Sequence, residues 1–370
     1  MKICISTDYH LSHRLYGLEE LEQDNYNKYR QLIKSIINEK PDIHIQLGDI
    51  FDTPYPKPIS IKHFEDGLKE LEKNRIPTYG IIGNHTLVQR KNYYPIDKIF
   101  ADKMTLLDPE NPLTLEDGTF IGGLPYHPKS YDIKPAIDQL YEKAKGCRLK
   151  ILLLHQALRK DIHIGYDYDE DKIGLSRFDV VLLGHFHKRI HRDENGTVYH
   201  YPGSLNSCSM AEMKDEMETG RGYTVLDTST GELTMKTLPP ERQYIQYDAT
   251  TSELNEHFIT DAIKSLKGCS RKPVVQLNIT GNDTRHIYET VKKLEPWALS
   301  VRHKTIKVDE DDLPITDTER DIGNIEDMLR KRFSKEWQGD LAVDLFRSLS
   351  IGDTDSAKGI ARNIYNKQYR

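Results

Sequence analysis

Five times before residue 190 a short apolar run gives way at once to residue types that bind divalent metals. The motifs are Asp8-Tyr9-His10, Gly48-Asp49-Ile50-Phe51-Asp52, Gly83-Asn84-His85, Leu154-His155-Gln156 and Gly184-His185-Phe186-His187. The runs before them, Lys2–Thr7, Asp42–Leu47, Thr78–Ile82, Lys150–Leu154 and Val180–Leu183, read as strands. In a sheet built from βα units the carboxyl ends of the strands converge on one edge, where open α/β sheets bind ligands. Glycines before Asp49, Asn84 and His185 let the backbone turn tightly there. The motifs offer two carboxylates, one amide oxygen and four imidazoles. That mixed oxygen and nitrogen set suits two borderline divalent ions, manganese or iron, better than a thiolate zinc site or an all-oxygen calcium site. Alone, His155 reads as a core histidine and Asn84 as a turn residue; the order and spacing of all five motifs carry the argument.

Further strand candidates are Met104–Leu107 and Thr119–Leu124, and helical spacing recurs at Tyr26, Tyr29, Ile33, Ile36 and Ile37 and at Ile61, Phe64, Leu68 and Leu71. Such alternation predicts a sheet covered by helices on both faces. After His187 the pattern turns hairpin-like: Thr197–Tyr201, Gly222–Leu226 and Leu233–Leu238, with Asn195-Gly196 as a turn. Pro239-Pro240 closes a first domain, 1–240. Residues 241–308 read as a small α+β domain, 309–321 as an acidic exposed linker, and 322–370 as a helical tail. In the tail, Ile325, Met328, Leu329 and Phe333, then Leu341, Leu345, Phe346 and Leu349, mark two amphipathic helices.

Composition excludes several classes. Unbroken aliphatic runs reach only the length of Ile151–Leu154, far below the roughly 20 apolar residues of a membrane-crossing helix. Asp8 interrupts the N-terminus before a signal-peptide core can form, and Cys4, Cys147, Cys208 and Cys269 form no CxxC pair. The expectation is a cytoplasmic protein with reduced thiols. The net charge of −6 is local: Lys307–Asp321 carries seven acids against Lys307 and Arg320, a net of −5, leaving the remainder near −1. No bulk basic field marks a nucleic-acid binder, and none excludes one.

The motifs D-Y-H-L, G-D-I-F-D, G-N-H, L-L-H-Q and G-H-F-H-K-R resemble those of the calcineurin-like metallophosphoesterase superfamily. Within it the chain is similar to the double-strand-break repair nucleases called SbcD in bacteria and Mre-eleven elsewhere. Tyr201-Pro202-Gly203-Ser204, the stretch Gly220–Asp227 and the small domain share that likeness, which spans roughly residues 1–310. The resemblance implies an α/β fold of layered β-sheets flanked by helices, with a small capping domain. It implies one metal on Asp8, His10, Asp49 and His187 and a second on Asp49, Asn84, His155 and His185, with Asp49 bridging. Both ions would be Mn2+. His85 would not ligate; it would assist departure of the leaving oxygen, a role that suits an imidazole titrating near neutrality. The implied activities are 3′-to-5′ exonuclease action on duplex DNA and endonuclease action on single strands or hairpins. The implied assembly is a homodimer, with an SMC-like ATPase of the SbcC type bound to the tail helices.

Two departures stand out. Thr86 replaces the acid that commonly follows G-N-H, and Ser12 replaces the repair branch's glycine after D-x-H-L, which predicts a stiffer loop. His13, Arg14, Lys57, Arg90 and Lys91 follow the metal motifs and are candidate contacts to DNA phosphates. Asp52 is a candidate support for the site, and Tyr126 and His127 candidate neighbours of it. Tyr93 and Tyr94 are expected to pack in the core or against a sister subunit; His44, His63, His127, His163 and His191 are expected to be structural or surface residues. Two other functions compete: a phosphatase or small-nucleotide phosphodiesterase, and a weakly catalytic DNA-binding scaffold. Against the protein-phosphatase branch, Thr53-Pro54 stands where that branch has arginine-glycine. Thr86 is the scaffold's only support.

Overall fold

The apolar runs of this chain are buried on both sides because they lie in two facing sheets. A computed structural model describes residues 1–87, 94–162, 165–283, 285–306, 330 and 336–350. In chain order come β1 (Lys2–Ser6), α1 (Glu19–Glu39), β2 (Ile43–Gln46), α2 (Pro58–Lys73), β3 (Thr78–Gly80) and β4 (Met104–Leu106). Next are β5 (Leu113–Thr114), β6 (Thr119–Leu124), α3 (Lys134–Ala144), β7 (Leu149–His155), α4 (Glu170–Ile173) and β8 (Val180–Gly184). Then follow β9 (Ile190–Glu194), β10 (Thr197–Tyr201), α5 (Met210–Thr219), β11 (Arg221–Asp227) and β12 (Glu232–Leu238). One sheet has the order β12-β11-β1-β2-β3-β4, the other β5-β6-β7-β8-β10-β9. β1 to β4 run parallel, as do β6, β7, β8 and β10; β11 and β9 join antiparallel.

Ile3, Ile5, Ile43 and Ile45 of the first sheet meet Ile121, Ile151, Leu153, Val180 and Leu182 of the second in one core between the sheets. The alternate residues point outward. Cys4 packs with Tyr26, Tyr29, Leu32, Phe64 and Leu68 from α1 and α2, while Leu152, Leu154, Val181 and Leu183 pack with Ile137 and Leu140 from α3. Strands covered on both faces read as continuous apolar runs. This corrects the expected single sheet with helices on both faces: the architecture is helix, sheet, sheet, helix, the layered form that the resemblance implied. The hairpin-like strands after His187 also divide between the layers. β9 and β10 form the Asn195-Gly196 hairpin on the second sheet, with positive φ at both turn residues, whereas β11 and β12 extend the first beyond β1.

Residues 241–306 add β13 (Tyr244–Thr250), α6 (Glu256–Lys267), β14 (Val274–Thr280), α7 (Arg285–Leu294) and β15 (Ser300–Ile306). The strands are parallel in the order β13-β14-β15, over a core of Leu254, Ala262, Leu266, Leu277, Ile279 and Ile287. The module belongs to the same compact unit as the sandwich. Arg242, buried, bonds Asp24 of α1 at 2.7 Å, and Arg271 reaches the same carboxylate at 2.7 Å. A separate unit contains the helix Glu336–Ser350, which matches the second expected tail helix. The acidic stretch 309–321 and the first tail helix, apart from Arg330, lie outside the described residues. Among the described residues no helix is long and apolar enough to cross a membrane.

Candidate metal centre

The ends of β1, β2, β3, β7 and β8 deliver the motif residues to one place, and the backbone is unusual where they do so. Asp8 (φ 51°), His10 (φ 45°), Asp49 (φ 51°) and His185 (φ 82°) all adopt the left-handed conformation. Asp and His tolerate it better than most residues, yet several such positions together signal a constrained functional site. Gly48 makes the tight turn expected of it, whereas the other two glycines serve a different purpose. Only Gly48 has positive φ, at 98°. At Gly83 and Gly184 the constraint is space: a Cβ would lie 2.2 Å from Asp49 Oδ1 at Gly83, and 2.4 Å from the Leu47 carbonyl oxygen at Gly184.

The structure brings together every expected ligand. Asp8, His10 and Asp49 place donor atoms within 4.8 Å of one another, and so do Asp49, His155 and His185. His187 joins the first group, its Nε2 3.0 Å from His10 Nε2. Asn84 joins the second, its Oδ1 2.8 Å from His185 Nδ1 and 3.1 Å from His155 Nε2. Asp49 belongs to both. His155 donates from Nδ1 to the Leu47 carbonyl at 2.6 Å, which turns Nε2 toward Asp49 Oδ2 at 3.0 Å.

This donor set fits divalent ions. Two ring nitrogens facing each other at 3.0 Å can share only one proton, and His10 Nδ1 is buried with no hydrogen-bond partner. Burial disfavours a charged His155, but Asp49 outweighs it and lifts the imidazole to about 9. The pull that Asp49 exerts on a proton there is the pull it would exert on a cation. His185 behaves oppositely: burial and the neighbouring His155 lower it to about 4, which keeps the ring neutral, the form in which an imidazole binds a metal.

Outer groups orient these donors. Glu212 Oε2 lies 3.0 Å from His187 Nδ1, and Asp167 Oδ2 lies 3.5 Å from His185 Nε2. Asp52 does more than cap a strand. Its Oδ1 is 3.4 Å from His10 Nδ1, off the line of a hydrogen bond, 3.1 Å from His13 Nδ1 and 3.9 Å from His85 Nδ1. Burial opposes its charge, but His10 and His13 hold the carboxyl below its ordinary range. His85 donates Nδ1–H to the Asp52 carbonyl at 2.8 Å, and its backbone N–H bonds Asp49 Oδ1 at 2.9 Å. Its side chain is 37% exposed, the open member of a buried cluster. Sequence reasoning missed Glu212 and Asp167. Ser209-x-x-Glu212 is a capping-box pattern that reveals α5, whose N-cap Ser209 accepts from Glu212 N–H, but not that the carboxylate faces His187. Asp167 carries no local signal.

The candidate DNA contacts fare differently. His13 is held by Asp52, Arg14 bonds Glu22 at 2.8 Å, and Lys57 bonds the same carboxylate at 2.6 and 2.8 Å. Any phosphate would compete with Glu22 for both cations. Arg90, Lys91, Tyr93 and His163 lie outside the described residues. Tyr126 borders the centre, its ring 5.6 Å from that of His185, whereas His127 stacks on Tyr131 at 4.5 Å. Tyr94 is 61% exposed and does not pack in the core. Ser12 takes φ 85° where glycine was expected, and its hydroxyl bonds Ser60 at 2.5 Å.

Comparison with known proteins places the centre in context. The calcineurin-like phosphoesterase family matches residues 1–189. The DNA double-strand break repair protein Mre11 of Methanocaldococcus jannaschii is 26% identical, over 98% of this chain and 98% of its own. The Mre11 protein of Thermoplasma acidophilum, another DNA double-strand break repair protein, is 27% identical, over 97% of this chain and 96% of its own. A subunit of the nuclease SbcCD from Staphylococcus epidermidis is 24% identical, over 71% of this chain and 75% of its own. Among solved structures, a dimetal phosphatase from Danio rerio aligns at 8% identity with a TM-score of 0.42, over 61% of this chain and 91% of that one. The matched segment holds all five motifs and more than half of the residues, so the chain belongs to the calcineurin-like phosphoesterase family.

Proposed function

We propose that this protein is a manganese-dependent DNA nuclease that processes ends in double-strand-break repair. Its proposed activities are 3′-to-5′ exonuclease on duplex DNA and endonuclease on single strands or hairpins. The observation that carries the proposal is Asp49 shared between two donor groups, with the half-exposed His85 beside them. The choice of DNA rests on the named activity of relatives that align with nearly the whole chain, small module included. On this reading Asp8, His10, Asp49 and His187 hold one Mn2+, and Asp49, Asn84, His155 and His185 a second.

Divalent ions held by these residues would supply Lewis acidity to the phosphoryl oxygens and a nucleophilic water at neutral pH. The chain does the rest. The Asp52 carbonyl holds the His85 Nδ1 proton, so Nε2 is the nitrogen that exchanges a proton with the leaving oxygen. The Asp52 carboxylate lies 3.9 Å from His85 Nδ1, beside the ring where Thr86 offers no acid. Thr86 itself is fully buried.

The same reading makes residues 241–308 a cap over the DNA, 309–321 a linker and 322–370 the attachment for an SMC-like ATPase of the SbcC type. It makes the protein a cytoplasmic homodimer. Ile59 on α2, Tyr94 and Ile99 are 47%, 61% and 48% exposed, large apolar side chains available to a second copy. The test separates ligand from acid. His85→Ser is expected to keep manganese affinity and lose at least ~100-fold in cleavage, the low end of general acid catalysis; Asp49→Ala is expected to lose both. Equal loss of metal in the two variants would move His85 into the ligand set and refute the assignment.

A further inference from the structure

We propose that Cys208 is a thiolate ligand at the His10 and His187 end of the metal centre, open to the divalent ion held there. The inference rests on the two-ion reading above and adds a ligand to it. One ring nitrogen of His10, one of His187 and the Cys208 sulfur lie within 4.8 Å of one another. Donor atoms about 2.0–2.3 Å from one tetrahedral ion stand about 3.3–3.8 Å apart, so a shift of up to about an ångström gathers the three.

Cys208 is held in this place. Its backbone N–H donates to Glu212 Oε2 at 3.0 Å, and the same oxygen lies 3.0 Å from His187 Nδ1. One carboxylate therefore fixes both the segment that carries the sulfur and the ring opposite it. Arg221, 2% exposed, clamps the surroundings by donating to the His187 carbonyl at 2.8 Å and to the Ser204 carbonyl at 3.3 Å. An independent sign of a missing partner is the pair of ring nitrogens His10 Nε2 and His187 Nε2, which face each other at 3.0 Å with room for at most one proton between them, His10 being 1% exposed. The other cysteines lie apart: Cys4 packs under α1, Cys147 packs beside the core around α3, and Cys269 follows α6.

The chemistry is a ligand exchange coupled to one deprotonation. The S–H bond breaks, its proton passes to solvent, and the sulfur lone pair forms the bond to the ion. Burial and the nearby Glu212, Asp52 and Asp8 carboxylates oppose a bare thiolate. A divalent ion reverses that balance, because a coordinating thiol is deprotonated outright. Metal uptake is therefore expected to release one more proton from the wild type than from Cys208→Ser.

Cobalt(II) separates the possibilities without an activity assay. The chelator-stripped full chain is titrated with cobalt at neutral pH, and its absorption is compared with that of Cys208→Ser, Cys208→Ala and Cys147→Ser. Visible ligand-field bands report binding by imidazoles and carboxylates; a near-ultraviolet charge-transfer band reports a sulfur–cobalt bond. The proposal expects both signals in the wild type and in Cys147→Ser. In both Cys208 variants it expects the visible bands alone, which also shows that those variants retain the folded centre. Visible bands without the near-ultraviolet band in the wild type, or a near-ultraviolet band unchanged in the Cys208 variants, overturns the thiolate and leaves the two-ion centre standing. Absence of both signals from the wild type overturns the centre and the thiolate together.

Discussion

Asp97→Asn should make the protein more stable above neutral pH, and the structure supplies the size of the effect. Asp97 lies on the turn Ile96–Phe100, fully buried, with neither carboxylate oxygen bonded in good geometry. Burial raises its carboxyl to about 6, and the neighbouring Thr86 hydroxyl offsets only part of that rise. An unfolded chain has this group near 3.9. The folded state thus binds the proton more tightly. The stability this confers is complete below about pH 4 and is lost as pH rises through about 6. Two units at 1.36 kcal/mol each make the loss about 3 kcal/mol by pH 8. Asparagine has the same shape and stays neutral, so the variant should gain up to about 3 kcal/mol over wild type at pH 8 and little at pH 4. Urea denaturation of both proteins, with chelator present, at pH 4, 6 and 8 gives the difference directly. A stability difference that does not change with pH would refute the argument, as would a variant most destabilised at pH 8.

Glu212→Gln removes the charge that orients His187 and should weaken manganese binding by roughly 10- to 100-fold, measured by calorimetry; unchanged affinity would deny Glu212 that role. Gly184→Ala sets a Cβ 2.4 Å from the Leu47 carbonyl and 2.6 Å from Thr7 Oγ1, and should cost about 1–3 kcal/mol of stability by thermal denaturation. A variant as stable as wild type would show that the sheets yield more readily than close packing allows.

The metal centre was legible because its residues follow strand ends at short, fixed offsets, and the strands themselves are local features. β6 and β10 run over the residues that alternation picks out, and Asn195-Gly196 makes its hairpin. The two-layer architecture was not legible. Ile151–Leu154 and Val180–Leu183 are apolar on both faces, so their patterns do not say which strands share a sheet. β9, with the sequence IHRDE at a sheet edge, has too little apolar pattern to register as a strand. The outer groups escaped notice for another reason: Glu212 meets His187 from α5, and Asp167 meets His185 from a loop, contacts made only by tertiary folding. Arg14 and Lys57 looked free for phosphate because Glu22, their shared partner on α1, is distant from Lys57 in the chain.

The most direct test of the account is degradation of end-labelled duplex and single-stranded DNA by the purified full chain, with manganese, magnesium or chelator, beside an Asp49→Ala preparation. The account predicts cleavage that requires manganese, stops with chelator and is absent from Asp49→Ala. No manganese-dependent cleavage of either DNA, or equal cleavage by the variant, would contradict it.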